Sequence, residues 1–375
     1  MRLADHFLAA AGTISDIGGF ASHMQGAIRE AQRFEVADEV AKAAGALIHS
    51  RPSTLVAALP LCRLPYDVMW LEYRGGLSSA DPRAFDGAPV PWKQGVLVEA
   101  MPGSQVGFIT VCWMHMVDIE TATKYGDPEW LHPVNISPVA VYFDWRKDGN
   151  VHNVVRRAHR VIDNHLEKNN HETRAYYNLF REHLERKWLT DWAGDEAKVN
   201  AVFTGRTGWD GLAGIPREIE AVRELDRHMV PGISPHGVGL IAALLQAVKG
   251  NELTNLLLKW EADMQGEGGW MQCLLAMLNS RNPVVEHTPV DLTKLNKSRR
   301  KSGKAEFLPY VKTQLTMSRS QQRIAKAHGI DREAARQHLV RGHFKIRRTG
   351  VYWWAPFLRG DARKGAVERQ EYEVR

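Results

Sequence analysis

Leu64-Pro65-Tyr66-Asp67-Val68-Met69-Trp70-Leu71-Glu72-Tyr73-Arg74-Gly75-Gly76 is the stretch on which the reading of the fold turns. Its β-branched and aromatic content predicts a strand over 64–73, and the glycine pair after Arg74 predicts the turn that closes it. Three further runs of the same kind follow. They are 94–100 (Gln-Gly-Val-Leu-Val-Glu-Ala), closed by Met101-Pro102-Gly103, then 106–116, and then 139–145. Short Gly- and Pro-containing links between such runs favour antiparallel pairing.

On either side of this block the apolar period becomes helical. Upstream, Ile28, Ala31, Phe34, Val36, Val40, Ala43, Ala44 and Leu47 predict one helix across 22–50, stopped at Arg51-Pro52. Downstream, 174–192, 216–229, 235–248, 252–264 and 270–278 read as helices. The last two are separated by Gly266-Glu267-Gly268-Gly269. After Asn282-Pro283 strands return at 284–290 and 307–313. Two helices are expected over 319–340, a hairpin at 343–358 and a last strand at 368–374.

The pattern predicts an α+β protein, with a mainly antiparallel sheet from residues 64–145 and 284–375 and with N-terminal and central helical layers. Three parts follow from it. Residues 1–150 hold the N-terminal helix and strands, 151–283 a helical layer or insert, and 284–375 a basic strand-rich module joining the same sheet.

With 375 residues, 44% apolar and 25% charged, the chain can bury a full core and is neither disordered nor fibrous in composition. Cys62, Cys112 and Cys273 are odd in number and far apart, which argues against a disulfide framework and for a reducing compartment. The apolar run near the N-terminus is short and interrupted by Gly12, Asp16 and Gly18, so no secretory core is expected there. The longest apolar run, 237–248, contains Gln246, is too short for a bilayer and reads as a buried helix. A cytoplasmic setting with no membrane partner is the expectation.

Charge is distributed unevenly. Residues 294–375 hold 21 Lys/Arg against 7 Asp/Glu, so +14, while residues 1–293 carry 28 against 36, so −8. A basic end on an acidic body points to a polyanion, either a nucleic acid or an acidic protein surface; pairing between the two halves of the chain is the plainer alternative. The basic run 294–304 supplies Lys294, Lys297, Arg299, Arg300, Lys301 and Lys304 with no acid among them, and should project into solvent. Such runs neutralise phosphates and release counterions.

Three pieces together resemble a group of uncharacterised phage and prophage proteins. They are Leu64-Pro65 with Met69-Trp70-Leu71-Glu72; Met277 to Asn282 running into Leu295-Asn296-Lys297 and Arg299 to Lys304; and Arg341-Gly342-His343-Phe344-Lys345 with Trp353-Trp354-Ala355-Pro356, Arg359-Gly360, Tyr372 and Val374. The resemblance covers the final hundred residues well and 60–145 loosely, but neither the helical middle nor 319–340. It implies a mobile-element context and a host-cell cytoplasmic setting, and brings no catalytic assignment.

Candidate sites concentrate at the C-terminal end. In a binding reading Arg341, Lys345, Arg347, Arg348 and Arg359 line a phosphate track, and Trp353 or Trp354 offers a base-stacking platform. Strand alternation sends the two tryptophans to opposite faces, so one of them enters the core. In a catalytic reading His338 and His343 act as general base and acid on a phosphodiester without metal, with Arg341 stabilising developing charge. In the plainest reading the histidines and tryptophans are packing. Residues 320–340 also match a helix-turn-helix pattern around Gly329, with Arg332, Arg336 and Gln337 as the reading face.

Glu72 and Glu99 stand in apolar strands, where a buried carboxylate needs a partner or a raised pKa. Glu72 would lie near His343 or Arg341 if the C-terminal strands shared its sheet; the plainer expectation is that both carboxylates face water. His152, His159, His165 and His171 fall on a polar stretch and match no metal-ligand register. No phosphate-binding glycine loop, Ser-His-Asp spacing or HExxH motif is present, so no metal and no cofactor is expected. The first function implied is a nucleic-acid-binding accessory protein. A nuclease or other phosphoryl-transfer enzyme comes second, and a structural or host-interaction protein third.

Overall fold

The computed structural model describes residues 3–9, 20–76, 91–115, 135–169, 171–188, 203, 209, 211–236, 251–280, 285–315, 336–340, 343–347, 349–354, 357–359 and 361–366. The fold is built on an eight-stranded sheet of order β6-β5-β4-β3-β2-β1-β8-β7. The strands are β1 (Gln32–Val36), β2 (Val68–Gly76), β3 (Pro91–Ala100), β4 (Val106–His115), β5 (Asn135–Asp144), β6 (Met229–Ile233), β7 (Val285–Pro289) and β8 (Val311–Leu315).

β2 to β6 form an antiparallel meander, and β7 pairs antiparallel with β8. The α+β class therefore holds, but the sheet is mixed. β1 runs parallel to both β2 and β8.

β1 is the main departure from the expected pattern, because it cuts the single helix read over 22–50 into α2 (Phe20–Glu30) and α3 (Asp38–Leu47). The sequence Gln-Arg-Phe-Glu-Val alternates over only four residues, too few to stand out from the helical pattern on either side of it. What makes it a strand is Arg33, whose Nη1 donates to the last-turn carbonyls of Ile28 (2.8 Å) and Arg29 (2.9 Å), while Nε donates to Pro309 (2.9 Å). The guanidinium thus satisfies the orphan carbonyls that end α2 and ties β1 to the segment entering β8.

One face of the sheet is covered by α3, α4 (Pro52–Ala58) and α8 (Asn251–Leu278), packed on Met69, Leu71, Val96, Val98, Ile109 and Val141. The glycines at 266, 268 and 269 do not break α8, which runs through them as one helix. A Cβ on Gly268 would come within 2.7 Å of Met229 Sδ and 2.8 Å of Val141 Cγ1, so the missing side chain lets the helix lie against β5 and β6. The helix-propensity cost of about 1 kcal/mol for such a glycine is offset by that packing.

The opposite face carries a second cluster. Leu3 and Phe7 of α1 (Leu3–Ala9) and Met24 and Ile28 of α2 bury against Trp70, Leu97, Cys112, Met114 and Ile136. Trp70 lies flat enough over the neighbouring strand that a Cβ on Gly95 would meet its ring at 2.2 Å. On the same face, nearer β5 and β6, lie α5 (Val151–Asn169) and α6 (His171–Trp188). Val151, Val155, His159 and Ile162 form the buried stripe of α5 at helical spacing. His159 is therefore a core histidine, contrary to the polar stretch read from sequence. Its ring lies 3.2 Å from Glu185 and accepts from the amide of Ile233 at 3.4 Å.

α7 (Pro216–His228) starts with proline at its first turn, as expected, and Glu218 accepts from the amide and hydroxyl of Ser53 at the start of α4. All three cysteines are free and buried. No described helix is long and apolar enough to cross a membrane. The expected helix at 237–248 and strand at 368–374 lie outside the described residues.

The C-terminal part divides. Among its described residues only β7 and β8 enter the main sheet. α9 (Thr293–Lys301) stands between them in sequence. β9 (Arg336–Val340) lies between β12 (Phe357–Arg359) and β13 (Asp361–Ala366) in a three-stranded sheet, while β10 (His343–Arg347) and β11 (Gly350–Trp354) form a hairpin. Residues 336–340 are thus strand where the second helix of a helix-turn-helix was expected. Residues 316–335, with Gly329 and Arg332, lie outside the described residues.

Candidate functional site

The basic run 294–304 is exposed as expected, but it is a helix and a returning turn. Thr293–Lys301 has no buried residue, and its arginines sit in the last turn, where positive charge suits the helix dipole. Asn296 holds the chain that comes back. Its Nδ2 donates to the Phe307 carbonyl at 2.9 Å, and the Phe307 amide donates to its Oδ1 at 2.9 Å. The Arg299 guanidinium stacks 3.8 Å from the centre of the Phe307 ring and donates from Nε to Ala305 O at 2.6 Å. Arg300 pairs with Glu306. Lys294, Lys297, Lys301 and Lys304 are exposed and make no ion pair among the described residues. Two of the six expected phosphate contacts, Arg299 and Arg300, are therefore committed within the turn, and four remain outward.

In the hairpin, His343 pairs with Trp354, Phe344 with Trp353 and Lys345 with Tyr352. Alternation settles the tryptophans. Trp353 is 1% exposed and joins Phe344 in the main core, so it is not the stacking platform. Trp354 faces out at 36% exposure, with Lys345 Nζ 4.5 Å from its ring centre and the His343 ring 6.1 Å away. Arg347 is exposed on the same face. In the three-stranded sheet Arg359 stands opposite His338 in register. The side chains of His338 and Arg359, and all of Arg341 and Arg348, lie outside the described residues. Of the catalytic grouping only His343 has a described side chain.

The two strand carboxylates do not face open water. Glu72 is buried and accepts from the amides of Leu3 (2.6 Å) and Ala4 (3.2 Å) and from Trp70 Nε1 (3.3 Å), so its partners belong to α1 and β2, not to the C-terminal strands. Burial pushes its carboxyl above the usual range, against those hydrogen bonds and the Lys93 charge.

Glu99, next to last in β3, lies between two histidines that no sequence pattern singles out. One carboxylate oxygen makes a short hydrogen bond with His236 Nε2, and the other lies 3.6 Å from His23 Nε2. The two imidazoles are 4.8 Å apart between centroids. Among the described residues these three form a group whose nitrogen and oxygen donors lie within 4.8 Å of one another, the kind of set that could hold a metal ion. No local spacing announces it, since its members stand on α2, on β3 and just after β6. The one sequence signal is Glu99 itself, a carboxylate in an otherwise apolar strand.

No family model, no curated protein and no solved structure matches the chain.

Proposed function

We propose that the chain is a nucleic-acid-binding accessory protein of phage or prophage origin, whose basic C-terminal part contacts phosphates without strong sequence readout. The observation that carries this reading is the outward set of lysines on α9. Lys294, Lys297 and Lys301 recur at intervals of three and four residues and so share one helix face. They span roughly 10 Å along the axis, a length over which one strand of duplex presents about three phosphates. The exchange between Asn296 and Phe307 holds the helix and its turn as one unit, so the lysines are presented with little backbone freedom left to lose.

Trp354 adds an exposed aromatic face beside Lys345 and Arg347, the pairing that binds unstacked bases in single strands. Retention of labelled RNA, single-stranded DNA and duplex DNA over a salt series tests the reading. Intact strands retained at low salt and released steeply as salt rises are expected, and no retention of any strand at low salt refutes it. Strand cleavage that His343→Ala abolishes would replace it with the phosphoryl-transfer reading.

A further inference from the structure

We propose that His23, Glu99 and His236 form a binding site for a divalent transition-metal ion of the zinc class. The donors are two imidazole Nε2 atoms and one carboxylate. Two imidazoles select a first-row transition ion over magnesium or calcium, which take oxygen ligands. A tetrahedral ion with bonds of about 2.0–2.1 Å places its ligand atoms roughly 3.3 Å apart. His23 Nε2 and the nearer Glu99 oxygen, at 3.6 Å, are already close to that separation. The contact between Glu99 and His236 is tighter, since it is a hydrogen bond through a proton. An ion takes that proton's place and moves the two groups apart by about the width of the difference.

The buried side of the group is fixed in advance. The His236 side chain is 4% exposed and that of Glu99 16%. The amide of His236 donates to Ser234 Oγ at 3.1 Å, and the amide of Ser234 donates to the Pro138 carbonyl at 2.9 Å, which ties the segment after β6 to β5. The Phe108 ring, opposite Glu99 in register, lies 5.5 Å from the His236 ring. His23 is different. Its side chain is 64% exposed, yet it leans over His236 and Glu99. A half-buried carboxylate satisfied by His236 alone would need no second imidazole there. Three protein donors leave a tetrahedral ion one further position, and the exposed His23 side opens that position to solvent, as in sites that bind water or a substrate oxygen.

The test titrates Zn2+ into the chelator-treated full chain against a chromogenic indicator, and records the visible spectrum with Co2+ in its place. One equivalent of metal is expected to bind the wild type, with the strong d–d absorption of a four-coordinate Co2+ site. His23→Ala changes an exposed helix residue and is expected to keep the circular dichroism and the metal-free melting curve of the wild type. It should weaken Zn2+ binding by on the order of 100-fold, at least what loss of an outer-shell partner costs. Glu99→Gln should abolish the Co2+ spectrum. No uptake by the wild type, or a loss of less than about tenfold in His23→Ala, overturns the proposal.

Discussion

Asn296 and Phe307 exchange two hydrogen bonds of 2.9 Å, side-chain amide to main-chain carbonyl and main-chain amide to side-chain oxygen. That exchange turns a basic run into a folded presentation of charge. Removing it is expected to loosen the return from α9 without touching the core. Asn296→Ala should raise the hydrogen-exchange rate of the Phe307 amide while lowering global stability by no more than about 1–2 kcal/mol, the net worth of two exposed or half-buried hydrogen bonds. Unchanged protection at Phe307 would show that the clamp is not what orders the turn.

Two glycines in α8 should respond to alanine with opposite signs. A methyl group added at Gly266 would meet nothing within 4 Å, so Gly266→Ala is expected to stabilise by about 0.5–1 kcal/mol. Gly268→Ala drives a methyl into Met229 and Val141 and should destabilise by about 1–3 kcal/mol. Urea unfolding of both variants measures the difference. Equal gains would mean that α8 does not lie against β5 and β6 at this point.

Trp353 and Trp354 are adjacent in sequence and opposite in role. Trp353→Ala empties a core position and should cost about 3–5 kcal/mol in denaturant unfolding. Trp354→Ala, which loses an exposed contact with Lys345, should cost under about 1 kcal/mol. It should nevertheless weaken single-strand binding by about 1–3 kcal/mol. Loss of stability in Trp354→Ala comparable to that of Trp353→Ala would reverse the assignment of faces.

Glu72 and Asp144 make opposite contributions to acid stability. The Glu72 carboxyl titrates above its unfolded value of about 4.3, so its contribution to stability is greatest below that value and declines as pH rises through the folded pKa. Glu72→Gln should therefore gain on the wild type between pH 4 and 7. For Asp144 burial pushes the carboxyl up, but the Arg146 guanidinium and the amides of Asn150 and Arg146 outweigh it and hold it low. Its contribution is present above the unfolded value of about 3.9 and is lost as pH falls through the folded pKa, so the deficit of Asp144→Asn should shrink below pH 4. Unfolding curves across pH 3–7 that run parallel for all three proteins would contradict both signs.

The meander was legible because β2 to β5 carry long aromatic and β-branched runs with Gly and Pro between them. β1 was not, since its five residues owe their conformation to what Arg33 reaches in α2 and before β8. The glycines of α8 read as a break because what Gly268 makes room for, Val141 and Met229, lies well over a hundred and about forty residues upstream. Exposure of the basic run could be read from charge alone, but the return of the chain onto α9 could not, because it is held by Asn296 and Phe307, eleven residues apart. The histidine pair around Glu99 left no trace in local spacing, as its members meet only once the meander and α2 have folded together.

The nucleic-acid reading rests on four lysines, and the salt dependence of binding by the wild type and by the variant with Lys294, Lys297, Lys301 and Lys304 all changed to alanine tests it most directly. Each lysine on a duplex phosphate contributes about 0.9 to the slope of log affinity against log salt. The variant is expected to lose about 3 to 4 from that slope while unfolding in urea like the wild type. An unchanged slope and affinity in the variant would contradict the assignment of α9 as the phosphate-binding surface.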